Sequence, residues 1–528
     1  MTQTAPRAET DPAAEHPAAG IRGGSGWLCG LIGGVAGMAV ADFGAYVIAP
    51  AGAPLTAVGS MIINLLPAGL VNWGKDTLGV ADKPVLLVLV AVGVLVLCGV
   101  AGRLEQRRPY AGLPVFAGVA VIGIVAELTS GHASLPALLP TFLGLAIGYL
   151  VLRILTNRLA GWSAATETAG PQERAVARRT FLLWTAVAGG VAVAGAVTGR
   201  LLMTTAGAVQ EIRSRFQLPT PIRRDPIPGD ADLGVDGLSP YVTPNVDFYR
   251  IDTALQLPII RADAWSLKIT GMVEREVTIS FADLIAKPLV EHVATLTCVS
   301  NEIGGDLVGN AVWLGYPIRE LLAQAGVQPG ADMVLSTSQD GWTAGTPLAV
   351  LTDPDRQALL AVGMNGEALP VEHGYPVRMV VPGLYGYVSA TKWVRELKVT
   401  TFAADQGYWT PLGWSAKGPI KTGSRIDVPR KRTVDAGQVV IAGVAWDQHT
   451  GIEKVEVGID DVWHPAQLAE VTGPDTWRQW LYRWEATPGT HEVAVRATNA
   501  DGEQQTAELA RPDPDGATGW HTVAITVR

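Results

Sequence analysis

Two groups of residues in this chain could carry chemistry. Cys298 ends the alternating run Val293-Ala294-Thr295-Leu296-Thr297 and enters a loop containing Gly304-Gly305. A thiol at the mouth of a strand can face a pocket, and as a thiolate it can ligate a soft metal; the alternative is an inert buried cysteine. His373, Arg378 and Lys392 fall within one short segment that turns at Pro376, Pro382-Gly383 and Gly386. Such donors can clamp an anion, with Arg378 offering a planar fork to phosphate; the alternative is scattered surface charge beside a hairpin. Cys29 and Cys98 sit in apolar stretches, so Cys298 is alone in the polar half of the sequence. That excludes an intramolecular disulfide there and a cysteine-ligated iron–sulfur cluster.

The elements that must position these residues come in two kinds. The 528 residues are 48% hydrophobic and 17% charged, with a mean hydropathy of +0.24. This excludes a disordered chain and argues against an ordinary soluble enzyme. Residues 1–203 carry 13 Lys and Arg against 10 Asp and Glu, and the remainder carries 27 against 39. One half suits lipid and the other water. The net charge of −9 argues against nucleic acid as a partner, because phosphate binding needs a basic face.

Four uncharged stretches approach the roughly 20 residues a bilayer crossing needs: residues 84–102, 109–126, 128–152 (interrupted by His132 and a turn at 131–134) and 180–199. A fifth, about residues 26–49, contains Asp42. Residues 55–73, broken by Asn64, Pro67 and Asn72, read as a re-entrant or surface segment. Arg103, Arg107 and Arg108 mark one cytoplasmic loop, and Arg153, Arg158, Arg174, Arg178 and Arg179 mark another. One more crossing then places everything after Met203 outside the cytoplasm. Arg178-Arg179 reads either as a twin-arginine export signal, which a domain that folds around its cofactor before export would need, or as two adjacent positive-inside arginines. Asp42 and Glu127 fall at expected outer helix ends, where interfacial water would hydrate them. No histidine lies inside an expected span, apart from His132 in its loop. A bis-histidine haem in this half is therefore not expected.

Beyond a Pro- and Arg-rich connector at 204–240, residues 241–404 mix short strands (265–269, 379–381, 394–399) with short helices (281–285, 318–325), an α+β pattern without a dinucleotide fingerprint or Walker loop. Residues 405–528 carry strand-like runs at 439–446, 452–459, 477–484, 491–498 and 520–527. Turns at Asp460-Asp461, Thr487-Pro488-Gly489 and Asn499–Gly502 separate them, which suits a small β-sandwich. The fold class expected is multi-domain: a tail at 1–25, disordered and cytoplasmic; an all-α transmembrane bundle of about five helices at 26–203; the linker; the α+β domain; and an immunoglobulin-like sandwich.

The segment around Cys298 with Ala311-Val312-Trp313-Leu314-Gly315, and Met364-Asn365-Gly366-Glu367-Ala368-Leu369-Pro370 leading into His373–Trp393, resembles the sulfite-oxidase family of molybdenum enzymes. Gly443-Val444-Ala445-Trp446 and Gly519-Trp520-His521 are similar to that family's C-terminal dimerisation domain. The resemblance covers about Tyr241 to Arg528 and leaves out the membrane half. It implies a molybdopterin cofactor carrying one molybdenum, bound by a single protein thiolate at Cys298. It also implies that Arg250 acts on substrate, and that His373, Arg378 and Lys392 hold the pterin and phosphate. Asn245, Asp247 and Asp340 are further implied cofactor contacts. Two features depart from sulfite oxidases: Trp342 stands where a tyrosine is expected, and Ser300-Asn301-Glu302 replaces an arginine-rich run.

The activity expected is a two-electron oxygen-atom transfer on a small oxo-compound, by an enzyme with neither haem nor iron–sulfur cluster. Electrons would pass to or from a separate partner, a cytochrome or a quinone-linked protein. A homodimer through the C-terminal domain is also expected. Alternatives are a periplasmic sulfoxide reductase of the methionine-sulfoxide type, and a non-catalytic, membrane-tethered binding module.

Overall fold

A computed structural model describes residues 19–48, 53–67, 70, 73–74, 77–78, 81–129, 135–203, 213, 216–255 and 257–528. The chain divides into two compact units, residues 1–204 and 205–528.

Among the described residues the first unit is helical: Ala19–Ile48, Pro54–Leu65, Asp82–Arg107, Leu113–Thr129, Leu135–Thr168 and Pro171–Met203. Three helical stretches are long and apolar enough to cross a membrane, at Ser25–Ala45, Asp82–Arg107 and Pro136–Ala165. Leu113–Thr129 is a shorter apolar helix. The expected span 180–199 lies within the helix Pro171–Met203, and its side chains beyond residue 190 are outside the description, as are the turn at 131–134 and the tail residues 1–18. Of the segment 55–73, the helix Pro54–Leu65 is too short to span. The first helix packs through glycines: a Cβ on Gly30 would sit 2.0 Å from the Cys98 carbonyl oxygen, and one on Gly37 2.8 Å from that of Gly144. Small residues let membrane helices approach closely, since dispersion rather than hydrophobicity holds them. Glu127 departs from the expectation of interfacial hydration. It is 1% exposed and accepts a hydrogen bond from Thr141 Oγ1 at 3.4 Å, because the helices Leu113–Thr129 and Leu135–Thr168 close over it.

The second unit opens with an extended stretch, then two sheets. Strands β1 (Ser266–Gly271), β2 (Val277–Ser280), β5 (Met333–Ser338), β6 (Thr343–Pro347) and β10 (Val394–Thr400) form one, in the order β2-β1-β10-β5-β6. Strands β3 (Val290–Thr297), β4 (Val308–Pro317), β7 (Leu359–Met364) and β8 (Glu367–Ala368) form the other, with β9 (Arg378–Val380) also paired to β7. The helix Phe281–Ile285 starts in a capping box between Ser280 and Asp283, and Ile318–Ala325 stops at Gly326 with φ +72°. Both match the sequence expectation.

Two further sheets follow: β11 (Gly423–Val428), β13 (Gly437–Trp446), β17 (Arg478–Ala486) and β16 (Gln467–Leu468) in one, and β12 (Thr433–Val434), β19 (His521–Val527), β18 (Gly489–Asn499), β14 (Ile452–Ile459) and β15 (Val462–Pro465) in the other. They enclose a shared core that includes Ile441, Trp480, Val457, Val495 and Ile525. Asp460 and Asp461, at φ +47° and +68°, make the two-residue turn whose twist suits a hairpin. This part is not separate from the α+β part, since Trp446 and Trp477 are buried in the core of the latter.

Candidate functional site

Strand β3 delivers Cys298. It lies at a sheet edge, and its outer side is covered rather than open. Ile222 N–H donates to Leu289 O at 2.8 Å, Glu291 N–H to Arg223 O at 2.8 Å, and Thr295 N–H to Asp475 O at 2.9 Å. Covering an edge fixes its register. Gln448 tightens the end of the strand by donating to Thr295 O at 3.1 Å and Thr297 Oγ1 at 2.9 Å. Cys298 is 8% exposed; its N–H donates to Leu307 O at 2.9 Å, and Ser300 N–H points at its sulfur at 3.4 Å. The loop beyond is pinned from the C-terminal sheets. Arg425 donates to Gly305 O at 2.7 Å, and Gly304, at φ +73°, lies so close to His521 that a Cβ would sit 2.5 Å from Nε2.

Strand β9 and the turns around it deliver the basic group. Gly374 makes the group compact: at φ +112°, a Cβ there would meet the Cβ atoms of Arg378 at 3.0 Å and Lys392 at 3.2 Å. His373 is 3% exposed, and its Nε2 lies 3.1 Å from Asn245 O. Burial, then the charge of Arg378, pushes its pKa down to about 4, so the ring is neutral. Arg378 is 5% exposed. It donates to His373 O at 3.2 Å and Met379 O at 3.3 Å, and its guanidinium lies 5.0 Å from the Trp313 ring centroid. Burial draws its pKa down to about 10. Lys392, also buried, is drawn down to about 8 by burial, against the pull of Asp252.

Arg250 joins through Asp252. Its Nε donates to Asp252 Oδ2 at 2.9 Å, and Lys392 Nζ donates to the same oxygen at 2.9 Å. Tyr249 links this cluster to Cys298: burial, then the neighbouring sulfur, pushes its hydroxyl above the ordinary range, while Arg378 opposes this. Asn245 anchors its own loop, donating to Glu367 Oε1 at 2.5 Å and accepting from Asn365 Nδ2 at 2.8 Å. Two expected contacts lie on short loops of their own. Asp247 is exposed on a turn in which its N–H donates to Pro244 O. The Asp340 carboxylate turns back on its own loop, accepting from Trp342 N–H at 3.4 Å.

Sequence reasoning missed Asp252 and Tyr249. The signal for Asp252 was present: in an extended chain, residues two apart point the same way, so Arg250 and Asp252 form a natural pair. Tyr249 carried no signal, since its position depends on how the segment lies against β4 and β9.

The arrangement is an anion receptor beside a thiol. Arg378 has no carboxylate partner among the described residues, while Arg250 and Lys392 share Asp252. A buried excess of positive charge of this kind calls for an anionic ligand. No cluster of three or more His, Cys, Asp or Glu that could hold a metal occurs among the described residues. A metal at Cys298 would take most of its donors from a bound cofactor. A soft thiolate and a phosphate clamp fit a dithiolene cofactor with an anionic tail.

Residues 254–409 match the family model described as oxidoreductase molybdopterin binding domain. The chain is 28% identical over 305 residues to mitochondrial sulfite oxidase of Homo sapiens, covering 48% of this chain and 55% of that protein. It is 34% identical over 154 residues to the oxidoreductase YuiH of Bacillus subtilis, covering 29% of this chain and 74% of the relative. Among solved structures, the sulfane dehydrogenase SoxCD of Paracoccus pantotrophus aligns with TM-score 0.48 and 23% identity, over 59% of this chain and 87% of that one. The chain spans about half the length of the animal sulfite oxidases it matches. On the molybdopterin domain and these relatives, the chain belongs to the sulfite-oxidase family of molybdopterin-dependent oxidoreductases.

Proposed function

We propose that this chain is a membrane-anchored, extracytoplasmic oxidoreductase of sulfite-oxidase type that transfers an oxygen atom to or from a small oxo-compound. The observation that carries the reading is the buried excess of positive charge, Arg378 without a carboxylate beside Lys392 and Arg250, next to the Cys298 strand end. When bound, the molybdopterin cofactor supplies the two-electron redox couple and the oxygen-transfer chemistry. Cys298 would hold the metal. Arg378 and Lys392 would hold the anionic end of the pterin, and His373, neutral at physiological pH, would donate or accept a hydrogen bond without adding charge. The side chain of Arg250 is 44% exposed. It would meet an anionic substrate on the open side and offset its charge as it approaches. The covered edge of β3 and the loop pinned by Arg425 hold the thiol in place, so binding and turnover need no rearrangement there.

Electrons would pass to or from a separate partner, a cytochrome or a quinone-linked protein. The C-terminal sheets would form an immunoglobulin-like sandwich that pairs two copies. Arg178 and Arg179, both exposed on their helix, would serve export of the folded unit. Elemental analysis of protein from molybdate-supplied cells tests the core of this reading and should find about one molybdenum per chain. Cys298→Ser should keep most of the cofactor through its tail contacts yet lose turnover. Turnover is assayed with sulfite plus an electron acceptor and, in parallel, methionine sulfoxide plus a donor dye. Full turnover in that variant removes Cys298 from the metal.

A further inference from the structure

Asp252 has no role in the reading above, yet it is the carboxylate that touches two of its three cations. Its side chain is 4% exposed. One oxygen, Oδ2, accepts both from Arg250 Nε and from Lys392 Nζ, each at 2.9 Å. Lys392 Nζ also donates to Glu372 O at 3.1 Å and lies 4.7 Å from the Trp393 ring centroid. Two of its three N–H groups are thereby committed, which leaves one for a ligand. Arg250 is held by Nε, so the outer edge of its fork stays available on the exposed side. We propose that Asp252 is a positioning residue: it fixes Lys392 and Arg250 on a single oxygen, so that the grip on the anionic end of the cofactor and the presentation of the substrate-facing arginine are set by the same group.

The proposal rests on the molybdopterin reading and deepens it. The physical reason is electrostatic. Lys392 is buried, and the charged or titratable groups facing it are Arg378 on β9, Arg250 and Asp252 in the extended segment before β1, and His373 in the adjoining turn. Burial and the two guanidiniums work against its charge, and Asp252 works for it. With the carboxylate replaced by an amide, the geometry of an acceptor remains but the counter-charge does not. Lys392, which titrates at about 8 with the carboxylate in place, should then lose its proton around neutral pH, and the clamp should weaken there and not in mildly acid solution.

The test uses the full chain, purified in detergent from molybdate-supplied cells and dialysed at pH 5.5 and at pH 7.0, with molybdenum and pterin fluorescence counted per chain. The wild type should retain its cofactor equally at both. Asp252→Asn should match it at pH 5.5 and lose cofactor severalfold faster at pH 7.0, where the wild-type ammonium, titrating at about 8, still holds its proton and the variant's does not. Asp252→Glu, which keeps the charge, should restore the flat profile and serves also if the amide variant fails to fold. Lys392→Met should release cofactor at a rate independent of pH, and adding Asp252→Asn to it should make no further difference, since the two act through one contact. A flat profile in Asp252→Asn, a pH-dependent one in Asp252→Glu, or losses that multiply in the double variant overturns the role of Asp252. A wild type without molybdenum instead overturns the reading of the site itself.

Discussion

Arg378 shows how one residue can be costly to the fold and necessary to the site. Its guanidinium is buried with two backbone carbonyls and a tryptophan face as partners, and no carboxylate among the described residues offsets its charge. Removing a buried charge that lacks a counter-ion relieves a desolvation cost of several kcal/mol, and this offsets the hydrogen bonds lost. Arg378→Met should therefore change the stability of protein made in molybdate-starved cells by less than about 1 kcal/mol in either direction. The same substitution should cut cofactor content at least about tenfold in molybdate-supplied cells, a loss of about 1.4 kcal/mol or more in binding. Thermal denaturation and elemental analysis read the two effects separately. A variant that loses several kcal/mol without cofactor, yet fills normally, would make the guanidinium a structural group.

The turn between the short 3₁₀ turn Val371–His373 and β9 governs the basic cluster at the scale of elements. Gly374 at φ +112° lets the backbone of His373 fold onto Arg378 and Lys392 with no side chain between them. Any L-residue there is strained by its backbone and also wedges two cationic stems apart. Gly374→Ala should cost about 1–3 kcal/mol of stability and deplete the cofactor. A fold that accepts the alanine with full cofactor content would show that the cluster tolerates opening. Strand β3 illustrates the complementary case. Its run of buried residues reads as a strand from sequence, but its edge position and its covering by residues 222–223 and 475 come from chain segments far away.

Across the whole second unit, the connector and the C-terminal sheets act as one clamp on the catalytic part. His292 on β3 bonds Asp225 of the connector and, at 2.9 Å, Asp475 of the loop before β17; Asp475 also bonds His449 at 2.8 Å. Burial alone would lower the His292 pKa, but the hydrogen bonds of its two carboxylates raise it to about 9. Burial would likewise raise Asp475, while the same histidines hold it down to about 2. A histidine raised in the folded state stabilises fully below its unfolded value near 6.5, and that contribution is lost as pH rises through 9. Thermal stability should therefore fall by roughly 3 kcal/mol between pH 6.5 and pH 9.5, and His292→Gln should lower stability at pH 6.5 and flatten this decline. An unchanged slope in that variant would place the pH dependence elsewhere. The membrane placement is tested by protease added to intact spheroplasts. Cleavage within residues 205–528, with cytoplasmic markers untouched, is the expected outcome; full protection would put this unit inside.

Composition and periodicity alone determined the division into an apolar helical half and a polar half, because a uniformly apolar helix and alternation on a half-buried sheet leave marks on every residue of an element. Strands such as Ile452–Ile459 and the helices Phe281–Ile285 and Ile318–Ala325 were legible residue by residue. So was the closeness of His373, Arg378 and Lys392, which fall within one short segment of the chain. Only the tertiary structure decided that Asp252 joins Arg250 to Lys392 and that Glu127 is buried. Each of these depends on the distance between segments separated by many residues, and a carboxylate on a loop carries no local mark of the cation it will meet. Charge pairing across the fold is a property of packing, and packing has no period in the chain.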